Sequence, residues 1–209
     1  MGIPVEVPGL STILPELGEG RLIIVESGAD PAKSFFVRRL SLTALHHGWP
    51  VTSVTSRDRD ELIRLLAREG SVEPWPEGAL DVVEQYALDN LDAYGGRGGL
   101  LAVDSFSFLT LDLEGSKVAR MLRELRARCH EKGTTAVLAT DRGMLEPRAE
   151  TVAAHLADGV IQFHAKEGPE GLIRYLRIPK WDDGRFVDRN IYYEFDGRRM
   201  AVDLRSRVL

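Results

Sequence analysis

Cysteine, long apolar runs and an excess of positive charge are what this sequence lacks. The single cysteine, Cys129, has no partner for an internal disulfide and no companions for a cysteine-rich metal site, so the cytoplasm is the expected compartment. No stretch approaches the roughly 20 apolar residues needed to cross a bilayer. Residues 1–20 also lack the apolar core of a signal peptide, and no membrane partner is expected. Lys and Arg number 27 against 32 Asp and Glu, a formal net charge of -5, which excludes a global attraction to nucleic acid. Single-stranded DNA binding would need a local basic patch, for which Lys117, Arg120, Arg123, Arg126 and Arg128 with Arg198, Arg199, Arg205 and Arg207 are the candidates. Acidic residues interleaved among them favour solvated faces instead.

What is present is enough apolar material, 44% of 209 residues, to close one sizeable core, so residues 1–209 are expected to form one domain. The run Arg21-Leu22-Ile23-Ile24-Val25-Glu26 reads as a buried strand that stops at a loop, and residues 33–47 follow with apolar side chains at helical spacing. Residues 51–55 read as a strand, 58–68 and 77–94 as helices, and 95–99 as a glycine-rich turn. Leu100-Leu101-Ala102-Val103-Asp104 has the near-continuous apolarity of a central parallel strand and ends in a carboxylate. Residues 115–132 form an amphipathic helix with Cys129 on its buried face, 134–140 a further strand, and 148–156 a short helix. Strands at 159–164, 172–178, 191–195 and 200–204 close the chain. Early βα alternation giving way to a β meander predicts an α/β fold: a mostly parallel central sheet flanked by helices, extended by C-terminal antiparallel hairpins.

The loop after the first buried strand stands where a phosphate-binding loop would stand. Such a loop needs Gly-x-x-x-x-Gly-Lys-[Ser/Thr], because backbone N–H groups wrap the phosphates, the lysine reaches them and the hydroxyl ligates magnesium. Here the slot holds Ser27-Gly28-Ala29-Asp30-Pro31-Ala32-Lys33-Ser34. Lys33 and Ser34 are in place, but Ser27 and Ala32 replace both required glycines, Pro31 removes an N–H and Asp30 adds negative charge. Gly28, Lys33, Ser34, Asp104 and Thr140 are the candidate nucleotide contacts, with Ser34 and Asp104 as magnesium ligands. ATP or ADP with magnesium and no cofactor at all both stay open as readings. Asp104 sits at the carboxyl edge of an α/β sheet, where ligands bind, and Thr140-Asp141 ends the neighbouring strand. His46-His47 cannot converge on one metal from successive helical positions, and no nucleophile elbow occurs.

Taken together, the chain resembles the KaiC-like, archaeal RecA-paralogue family of P-loop ATPases. Val7-Pro8-Gly9-Leu10 with Gly18-Glu19-Gly20, Leu101-Ala102-Val103-Asp104-Ser105, Leu156-Ala157-Asp158-Gly159-Val160-Ile161 and Arg177-Ile178-Pro179-Lys180-Trp181 are similar to that family's motifs in order and spacing. The resemblance implies a RecA-like P-loop domain, a Walker B role for Asp104, and a protein partner or self-assembly. It also marks departures. The family's catalytic glutamates at the end of the second strand are replaced by Ser56-Arg57, Asp58 and Asp60 read as helix-starting acids, and Asp182 stands where an arginine would follow Lys180 in a trans-acting pair. No catalytic residue is therefore assigned. The resemblance implies a pseudo-ATPase acting as a regulatory or assembly factor. A slow ATPase completed by a neighbouring subunit, and an accessory factor binding single-stranded DNA, are the alternatives. Trp181, beside Lys180, is open between a partner contact and a buried ring.

Overall fold

The computed structural model describes residues 2–28, 30–70, 75–88, 91, 94–169, 171–182 and 187–203. A small antiparallel pair, β1 (Ile3–Pro4) and β2 (Glu16–Leu17), brackets a single turn of helix, α1 (Leu10–Ile13). Then follow β3 (Leu22–Ser27), α2 (Ala32–His46), β4 (Val51–Thr55), α3 (Arg59–Glu69), β5 (Leu80–Glu84), β6 (Leu100–Val103) and α4 (Phe106–Leu109). The second half runs α5 (Gly115–Lys132), β7 (Thr135–Asp141), α6 (Pro147–Leu156), β8 (Gly159–Gly168), β9 (Gly171–Trp181), β10 (Val187–Phe195) and β11 (Met200–Asp203).

The main sheet has nine strands in the order β11-β10-β9-β8-β3-β7-β6-β4-β5. Neighbours from β8 to β5 are parallel, and β8 to β11 form an antiparallel meander. Both faces are covered, which is why the central strands read as continuous apolar runs. Ile23, Val25, Val137, Ala139 and Phe163 pack with Phe35 and Phe36 of α2, while Leu22, Ile24, Ala136 and Leu138 pack under Val118, Leu122 and Leu125 of α5 and Ala149 and Ala153 of α6. Helix α5 spans the residues its periodicity marks, and Gly133 in the left-handed conformation (φ 69°) closes it by donating its N–H to the Cys129 carbonyl.

The expected helix over 77–94 is the one element the structure overturns. Residues 80–84 form β5 instead, pairing with β4 in parallel from Val51↔Leu80 to Thr55↔Glu84. Gly78, at φ 79° in the left-handed region, interrupts a helix start, and Val82-Val83 suit the pleat. The extra strand satisfies backbone groups along β4 that would otherwise meet solvent or nothing. Leu88 and Leu91 are buried, so the apolar periodicity is real, although none of the described residues of 77–94 is helical. Positions 89, 90, 92 and 93 of that expected helix lie outside the described residues, as do Ala29, Asp183-Gly184, Leu204, Arg205 and Arg207.

Candidate functional site: an internally satisfied phosphate loop

Strand β3 delivers the loop to the carboxyl edge of the sheet, between β7 and β8. Two hydrogen bonds fold it onto itself: the Asp30 N–H donates to the Gly28 carbonyl (2.8 Å) and the Ser27 hydroxyl to the same oxygen (2.6 Å). Asp30 then turns inward, 7% exposed. Its Oδ1 accepts the Ala32 N–H at 2.8 Å, one of the backbone donors at the start of α2 that would otherwise face an anion. Its Oδ2 accepts from the Tyr193 hydroxyl at 3.2 Å and lies 3.4 Å from Arg174 Nε. Tyr193 is held by the aromatic chain Phe36–Phe163–Tyr193, with ring centroids 5.6 and 5.5 Å apart. Burial, and then the Asp30 carboxylate beside it, push the Tyr193 phenol far above its ordinary value, so it remains a donor.

Lys33 is likewise committed. Its side chain is 4% exposed, and Nζ donates to Asp141 Oδ1 at 2.6 Å and to the Thr140 carbonyl at 3.0 Å. The Asp141 N–H donates to Ser107 Oγ (2.9 Å), which ties the end of β7 to α4. The Arg142 N–H donates to the Ser27 carbonyl, which ties it to the loop. Thr140 is buried and supplies its carbonyl, not a phosphate-sensing hydroxyl, to the lysine. Gly28 has open space where a side chain would stand, and Ser34 is half-buried with no hydroxyl partner among the described residues.

Asp104 follows β6 at the same edge. The chain turns sharply there, because Ser105 takes a left-handed conformation (φ 60°, ψ 43°) that costs a non-glycine residue about 1–2 kcal/mol. Asp104 Oδ2 lies 3.4 Å from Arg57 Nε, and its Oδ1 is buried without a partner. Arg57 also donates to Glu61. Asp58 caps α3 by accepting the Glu61 N–H (3.0 Å), the helix-starting role its position suggested. Glu84, an acid at the end of β5 that the expected helix concealed, accepts the Arg59 N–H.

A nucleotide triphosphate with magnesium, which a P-loop fold implies, does not fit these residues as they stand. The cradle contains a carboxylate on one N–H and a proline without one, and the lysine is paired with Asp141. A guanidinium already occupies one side of Asp104. Among the described residues no group of three or more His, Cys, Asp or Glu side chains is placed to hold a metal ion.

The other singled-out residues make contacts within the chain. Lys180 Nζ donates to the Ala154 and His155 carbonyls (3.3 and 2.6 Å), capping the end of α6. Asp182 pairs with Arg21 at 3.0 Å. Trp181 is half-buried against Gly159, where an added Cβ would come within 2.5 Å of its ring. Asp158 is buried and accepts from the Leu22 N–H (2.8 Å) and twice from Arg126, with His130 Nε2 at 3.1 Å. His47 pairs with Glu6.

This fold, with its loop at the end of β3 and its acid at the end of β6, is that of the RecA-like, KaiC-type proteins. A KaiC-like protein from the hyperthermophilic archaeon Pyrococcus horikoshii OT3 superposes with a TM-score of 0.79 over 97% of this chain and 99% of that one, at 24% identity. The flagellar accessory protein FlaH from Methanocaldococcus jannaschii does so with a TM-score of 0.78 over 97% and 98%, at 17% identity. At these identities the likeness is one of fold. By sequence the chain belongs to a family of unknown function, DUF7125, whose model matches residues 77–208. No curated protein matches the chain.

Proposed function

We propose that residues 1–209 form one RecA/KaiC-like pseudo-ATPase unit, working in the cytoplasm as a regulatory or assembly factor for another protein. The observation that carries this reading is the Lys33–Asp141 pair: the cation that would reach a phosphate is buried and bonded within the chain. Asp30 supports it by presenting an internal carboxylate where a phosphate oxygen would bind the loop. Gly28, Lys33, Ser34, Asp104 and Thr140 then act as structural descendants of a nucleotide site. A site that has lost its ligand chemistry while the fold persists leaves the outer surfaces to carry function. FlaH, similar in fold, is described as an accessory protein, a role of the same kind.

Phosphate release from ATP with magnesium, measured on the wild type and on Lys33→Ala and Asp104→Ala, tests the reading. No release above background in any of the three is expected. Magnesium-dependent release abolished by both substitutions would overturn it in favour of slow hydrolysis completed by a neighbouring subunit or partner.

A further inference from the structure

A groove of about 1080 Å³ lies between the N-terminal segment, α2, α3 and the β10–β11 hairpin, and none of its lining residues belongs to the phosphate loop. Its apolar lining residues are Val7, Phe35 and Met200, all buried, and Leu65, half-buried. Its rim is cationic, with Arg39, Arg68, Arg198 and Arg199. This contrasts with a chain of formal net charge -5. Two carboxylates also line it, and both are engaged. Glu6 pairs with His47 at 3.0 Å, a hydrogen bond that holds its carboxyl below the ordinary value. Glu69 Oε1 pairs with Arg38 at 2.6 Å. The side chains of Arg68 and Arg198, both exposed, have no partner among the described residues.

We infer that this groove docks an acidic peptide segment of a partner protein, anchored by one or two apolar side chains. The size lies at the upper end of small-molecule pockets, about 300–1,000 Å³, and admits a short stretch of chain. Clustered arginines recognise carboxylates, and the half-buried Leu65 offers a contact for an apolar anchor. Glu69 adds a second, independent feature: its side chain is 10% exposed, and its Oε2 is buried with no hydrogen-bond partner. That acceptor lacks a donor, and a peptide N–H is one that a docked chain carries at every residue but proline. Single-stranded nucleic acid is disfavoured because Phe35, the aromatic ring lining the groove, is only 3% exposed and offers no stacking face. The inference goes beyond the pseudo-ATPase reading and does not depend on whether nucleotide binds.

The test is selection of a random dodecapeptide phage library on the intact protein, followed by titration of the enriched peptides by fluorescence anisotropy. The variants are Arg68→Glu and Arg198→Glu, with exposed Arg120→Glu on α5 as a control for unspecific charge. Enriched peptides should combine glutamate or aspartate with leucine or aromatic anchors. Their affinity should fall about tenfold or more in both groove variants and hold in the control. Thermal melts matching the wild type confirm that the exposed substitutions leave the fold intact. Peptides without acidic bias, affinity insensitive to Arg68→Glu and Arg198→Glu, or no enrichment at all would overturn the inference. So would a labelled oligothymidylate that binds the wild type and loses affinity in the same two variants.

Discussion

Lys33 and Asp141 share one bond but not one environment. The lysine side chain is 4% exposed and the aspartate 33%, so losing either partner has unequal consequences. Asp141→Asn strands an ammonium in the interior and is expected to cost about 3 kcal/mol, at the low end for a broken buried pair because one partner is already wet. Lys33→Met removes the buried charge itself and leaves Asp141 to rehydrate, so its cost should be clearly smaller. Urea denaturation midpoints of the two variants measure the asymmetry, and equal losses would contradict it. Cys129 gives an independent reading of burial. Loss of water around the thiol, and then the Asp158 carboxylate, push its pKa up to about 12, so it stays protonated at neutral pH. The native protein should show no reaction with an aromatic disulfide reagent, and one thiol should react once guanidinium unfolds it.

At the scale of elements, Asp158 fastens three of them: the first residue of β3 through Leu22 N–H, α5 through Arg126 and His130, and the start of β8 through its own position. Burial alone would raise its pKa, but the hydrogen bonds from Arg126, from Leu22 N–H and from His130 outweigh that and lower it. A carboxylate with a depressed folded pKa contributes stability above its unfolded value of about 3.9 and loses it as pH falls through the folded value. Asp158→Asn should therefore destabilise at neutral pH, by about 1–3 kcal/mol, because the buried Leu22 N–H loses a charged acceptor while the exposed Arg126 and His130 rehydrate. The gap from wild type should narrow below about pH 4, which chemical denaturation at pH 7 and pH 3 can measure. Gly159→Ala should also destabilise, by about 1–3 kcal/mol, because its methyl group would strike the Trp181 ring; a melting curve reads the loss. Most elements were legible in the sequence because their apolar periods match their burial: β3, α2 and α5 run as read. β5 was not, because Leu80, Val83 and Leu88 also fit a helical period, and only the unpaired edge of β4, invisible in one sequence, decides for a strand.

For the whole molecule, a mostly parallel sheet with an antiparallel extension followed from βα alternation ending in a meander, the RecA-like fold was implied by the resemblance of motifs, and the two solved structures agree with both. The candidate site was legible only in part. The lost glycines, Pro31 and Asp30 could be seen in the loop, and Asp58 could be read as a helix cap. What fills the cradle could not be seen, since Asp30 meets Tyr193 across 163 positions and Lys33 meets Asp141 across 108. Tyr193 and Arg174 carry no local motif, and their role emerges only once β9 and β10 fold back beside the loop. On the proposed reading, the chain's own Asp30 and Asp141 take the places of a bound polyanion. Calorimetric titration of the wild type with ATP and magnesium tests this most directly. No saturable heat up to millimolar nucleotide is predicted, whereas saturable micromolar binding that disappears in Lys33→Ala would contradict it.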